Sequence, residues 1–73
     1  MEKYRILLTP AEEEGLDTIM DINAKDVDAA KSQATAYLAM LGGKCKSATV
    51  FSEWKSPTSW RQAIDPIVYN YNL

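Results

Sequence analysis

The chain has 73 residues, 47% hydrophobic and 25% charged, a globular composition for one domain spanning residues 1–73. Histidine is absent and cysteine occurs once, which removes the usual ligands of a zinc or copper site and the commonest general base. The formal net charge of −2 is uneven: residues 1–36 hold eight acids and four bases, residues 37–73 two acids and four bases.

"YRILLT", Tyr4 to Thr9, reads as a strand with Tyr4, Ile6 and Leu8 on one face and Arg5, Leu7 and Thr9 on the other. Leucine at position 7 implies that the second face is partly covered, as in a central strand. "PAEEEG" is a polar connection closed by Gly15. "LDTIMDIN" alternates next, with Leu16, Thr18, Met20 and Ile22 inward and Asp17, Ile19, Asp21 and Asn23 outward. Two adjacent strands with a short link predict an antiparallel hairpin.

Residues 26–41 predict a helix. Asp26 suits the N-cap and Asp28 the positive end of the helix dipole. Val27, Ala30, Ala34, Tyr37, Leu38 and Leu41 fall on one helical stripe, and Gly42-Gly43 supplies the stop. "KSATVFSEW" is a third strand, with Ala48, Val50, Ser52 and Trp54 opposite Thr49, Phe51 and Glu53. For residues 56–65, Ser56 as N-cap and Pro57 at the first helical position favour a short helix or helical turn. The rival is a hairpin with Trp54 and Trp60 flanking "KSPTS", which lacks a primed-turn pair. "PIVYNYNL" alternates as an edge strand would.

These elements assemble as an α+β two-layer sandwich: an antiparallel sheet of three or four strands with one main helix, in the order ββαβ plus a C-terminal short helix or strand. One sheet face takes the helix. The other is left to solvent, to the C-terminal segment or to a partner.

Trp54 and Trp60 are the first candidates for contact, because tryptophan is enriched at interface hot spots and stacks on nucleobases. A domain this small also needs large side chains to close its core. Trp54, in register with Val50, is assigned to structure, whereas Trp60, among Ser59, Arg61 and Gln62, is equally suited to contact. Glu12, Glu13 and Glu14 with Asp17 and Asp21 read either as solvated surface or as a negative ridge that steers a basic partner. Hydrolytic carboxylate pairs need a concave, desolvated setting that a glutamate loop does not supply. Enzymatic activity is therefore not expected, nor is any cofactor. Lys44, Lys46, Lys55 and Arg61 interleave with the tryptophans, but four bases in an acidic protein are few for a phosphate footprint, so nucleic-acid binding is disfavoured. Cys45 is expected to be an incidental exposed thiol. Tyr69 and Tyr71 in "YNYN" suit a partner contact or an inward-facing terminal strand equally.

No apolar run approaches the ~20 residues of a membrane helix. "MEKYRILLTP" lacks signal-peptide features, and one cysteine suits a reducing compartment, so a cytoplasmic location is expected.

The layout "KYRILLTP…LDTIMDINAKDVDAAKSQATAYLAML…SATVFSEW" resembles that of small phage and mobile-element proteins. In these, two strands lead into A-x-D-x-x-x-A and a helix, followed by a return strand. In size and order of elements it is similar to several anti-CRISPR proteins. The resemblance lies in layout, and no functional residue is carried over. It implies a stoichiometric binder of a host or defence protein, acting by occlusion or nucleic-acid mimicry. The expectation is a non-enzymatic protein-binding module. Its rivals are a nucleic-acid-binding accessory protein and a self-associating subunit that buries its open sheet face.

Overall fold

A computed structural model describes residues 1–41, 43–54 and 56–69, without the side chains of 54–58. The chain opens with the strand β1 (Glu2–Pro10), whose even-numbered apolar residues Tyr4, Ile6 and Leu8 are all buried. The strand β2 (Thr18–Ala24) returns antiparallel to it, with Ile6 opposite Met20 and Leu7 opposite Ile19. Thr18, Met20, Ile22 and Ala24 thus share the face of Ile6. Leu16, expected to point inward, instead precedes the strand and is 89% exposed. Outside the ladder, nothing constrains it to alternate.

The helix α1 (Val27–Met40) starts where the sequence places it. Asp26 caps it, its Oδ1 accepting the Ala29 N–H at 2.9 Å and satisfying a donor the first turn leaves without a partner. Ala30, Ala34 and Leu38 are buried, with Val27, Tyr37 and Leu41 packed at the margin. The alanines, both fully inaccessible, let the helix backbone approach the sheet closely. The chain then turns through Gly43, whose φ of 91° is open to glycine at little cost.

The strand β3 (Cys45–Trp54) pairs antiparallel with β1 on the side opposite β2, so β1 is central, as Leu7 implied. Since β2 and β3 both oppose β1, they run parallel, and α1 carries the chain from one flank of β1 to the other. A register shift at Thr9/Pro10 accommodates a proline that cannot donate to the ladder. Cys45 is buried in the core, correcting the expectation of an exposed thiol. It opens β3 on the helix side, opposite Pro10.

Residues 56–65 overturn the preference for a short helix. They contain the strand β4 (Ser56–Gln62), antiparallel to β3, with Trp60 opposite Glu53 and Gln62 opposite Phe51. The proline that suggested a helix start is tolerated because β4 is an edge strand. As a helix, the segment would have put Trp60, Ala63 and Ile64 on one side. As a strand it sends Trp60 to one face, and Ile64, beyond the strand end, to the core. The strand β5 (Ile67–Val68) joins the other end of β3, with Ile67 opposite Ala48. The tail expected to continue this edge lies outside the described residues from Asn70 onward. The sheet order is β2-β1-β3-β4, with β5 also on β3: a small α+β domain. Among the described residues no helix is long and apolar enough to cross a membrane.

Candidate functional site

Strand alternation that buries Tyr4, Ile6, Leu8, Ala48 and Val50 beneath α1 delivers a second set of residues to the opposite face. From the pairing register, Asp21, Arg5, Phe51 and Gln62 form one row across the four strands, and Ile19, Leu7 and Thr49 form the next. No helix covers this face among the described residues. Ile19 is 60% exposed, while Leu7, Phe51 and Trp60 are half-buried. With Arg5 they line a shallow apolar depression of about 200 Å³.

Arg5 organises the depression. Its Nε donates to Asp21 Oδ1 at 2.8 Å and its Nη2 to Asp21 Oδ2 at 3.2 Å, a bidentate bridge between β1 and β2. Its Cζ lies 4.2 Å from the centre of the Trp60 ring, a cation–π contact that reaches across β3 to β4. One side chain thereby connects the two edges of the four-strand path. Lys3 and Glu53 make a looser pair at 4.0 Å. Each acid of these pairs stands beside a base.

The hydrogen bonds from Arg5 hold the Asp21 carboxyl below the usual carboxylate range and push the guanidinium above its own ordinary value. Because the folded-state value of Asp21 is depressed, its contribution to stability is present above the unfolded value and is lost as pH falls through the folded one. Replacing Arg5 with methionine is expected to return the Asp21 midpoint to the ordinary range, read from its carboxyl carbon shift by NMR. An Asp21 midpoint indifferent to Arg5→Met would show that the bridge does not form in solution. On the helix side, burial and then the bond donated to Glu2 Oε2 at 2.9 Å raise the Tyr4 hydroxyl. That group belongs to the scaffold.

The residues singled out from sequence do not gather at one place. Glu12, Glu13 and Glu14 are exposed on the β1–β2 connection, where the Glu12 carbonyl accepts the Gly15 N–H. Asp17 precedes β2, so it does not share a strand face with Asp21, which is already bridged to Arg5. Of this acidic set, only Asp21 belongs to the open face. Trp60 lies on that face, whereas Arg61, opposite Ser52, is exposed toward the helix side. Tyr69 packs against the core and donates its N–H to the Lys46 carbonyl. Tyr71 and the Trp54 side chain lie outside the description. Sequence reading passed over Arg5, Leu7, Ile19 and Phe51 as site residues, although their outward positions were visible. Three apolar side chains at outward strand positions were the available signal.

Two larger hollows, about 590 and 540 Å³, are open and rimmed by charged side chains such as Glu2, Lys3 and Glu53, or Glu12 and Lys44. Among the described residues no three His, Cys, Asp or Glu side chains stand together to hold a metal ion. Against protein-family models, curated proteins and solved structures, the chain finds no match.

Proposed function

We propose that the chain is a non-catalytic protein-binding module whose contact surface is the helix-free face of its sheet. The observation that carries this reading is the cluster of Leu7, Ile19, Phe51 and Trp60 around the Arg5–Asp21 bridge. A grouped apolar surface rimmed by polar groups is what interfaces use, and Trp and Arg are enriched at their energetic centres. Layout resemblance to small phage inhibitors fits a stoichiometric blocker of a host or defence protein.

The same geometry disfavours nucleic acid. The charge of Arg5 is matched by Asp21 and that of Lys3 by Glu53, leaving no surplus for phosphates among the described residues of the face. One face of the Trp60 ring is taken by the guanidinium, which limits it as a base-stacking platform.

The test is capture from a lysate of the source cell or its host, with wild-type and Ile19→Asp chains immobilised in parallel. Ile19 is exposed, so the substitution leaves folding intact, which circular dichroism checks. A captured protein lost with Ile19→Asp but retained with Ser32→Asp, on the exposed side of α1, is the expected result. Capture by both variants alike would move the contact elsewhere.

A further inference from the structure

Granting that the open face is the contact surface, the occupant it suits best can be read from its charge and size. We infer that, in the free protein, this occupant is a second copy of the chain, which a foreign partner must displace: the face closes a two-fold symmetric dimer, sheet against sheet.

Charge is the first argument. Among the described residues, every charged side chain placed on the face is half of a pair of opposite sign, Arg5 with Asp21 and Lys3 with Glu53. A strongly acidic or strongly basic partner gains nothing from such a surface. A copy rotated by a two-fold axis presents the same apolar cluster with the same balance of signs, and an isologous interface requires that self-complementarity. The bridged charges are also neutralised before burial, which reduces the desolvation cost that an unpaired ion would impose.

Size is the second argument. Four strands of seven to ten residues, at about 3.3 Å per residue and about 4.8 Å spacing, span roughly 500 Å² of sheet plane per copy, about 1,000 Å² in a dimer, the lower bound for a specific interface. This area suits a reversible dimer and leaves little room for a more elaborate one. Need is the third. Among the described residues, the largest side chains with no exposure at all are Ile6 and Val50, so the core of so short a domain is small, and binding to the native state adds stability by mass action.

Sedimentation equilibrium on the full chain, from ~1 μM to ~1 mM, tests the inference. The wild-type mass is expected to rise from the 8.2 kDa monomer toward twice that value. Ile19→Asp sets a carboxylate into the apolar face of each copy and is expected to weaken association at least tenfold, about 1.4 kcal/mol or more. Ser32→Asp, on the opposite side of the molecule, is expected to leave it unchanged. A wild-type chain monomeric throughout, or a dimer indifferent to Ile19→Asp, overturns the inference. If a monomeric chain still captures a foreign protein through Ile19, the self-association inference alone fails. If Ile19-dependent capture is also missing, the protein-binding reading fails with it.

Discussion

Leu38→Ala is expected to lower the unfolding free energy by about 2–5 kcal/mol, as buried large-to-small changes do. Leu38 is 3% exposed on the inner stripe of α1, where it packs into the core with Ala34, one turn before it. Truncation removes its transfer free energy and leaves a cavity that a backbone held by alanine contacts cannot readily collapse. Against a total of roughly 4–11 kcal/mol for a domain of this length, the loss is a large share. Lys31→Ala, on the exposed side of the same helix, is expected to be nearly neutral, because alanine is also the better helix former. Urea unfolding of the two variants checks the pair. Equal losses would mean that the helix presents a different face to the sheet.

Ile6→Ala should cost a similar ~2–5 kcal/mol, while Ile19→Ala should stay within about 0.5 kcal/mol of wild type in the isolated monomer. Ile6 is fully inaccessible on the central strand, between the sheet and α1. Ile19 is apolar and β-branched too, but it sits on the other face of the sheet and is 60% exposed. Chemistry is the same at both sites; burial alone separates them. Thermal unfolding at low micromolar concentration reads the difference. A large loss for Ile19→Ala at that dilution would mean that the open face is covered by the chain itself. A loss that appears only as concentration rises would report the dimer, since a partner that binds the native state makes apparent stability concentration-dependent.

Most of the scaffold was legible because it follows local periodicities. The step-two alternation of Tyr4, Ile6 and Leu8 and of Ala48 and Val50 marked the buried faces of β1 and β3. The stripe through Ala30, Ala34 and Leu38 marked the inner face of α1, and Asp26 marked its start to the residue. Leu7, an apolar residue at an outward position, correctly implied that β1 is central. The candidate site was harder to see. An outward apolar residue such as Leu7 marks its own strand as central but names no neighbour across the sheet, and Ile19, Phe51 and Trp60 join it only through the strand order.

By itself the sequence determined the α+β class, the main helix with its cap and inner stripe, and which side of each main strand would be buried. All of these depend on residues within one element, where spacing alone decides which side chains share a face. Tertiary structure decided the remainder. Residues 56–62 carry a passable helix start, and they become β4 because the free edge of β3 offers a ladder, with Trp60 reaching the Arg5 guanidinium. Cys45 lies between two lysines in sequence and is buried because β3 begins there, under the helix side of the sheet. The Asp21–Arg5–Trp60 chain of contacts joins residues on three different strands. Such a contact depends on the order β2-β1-β3-β4, and strand order is set by the packing of the whole domain, not by any local pattern.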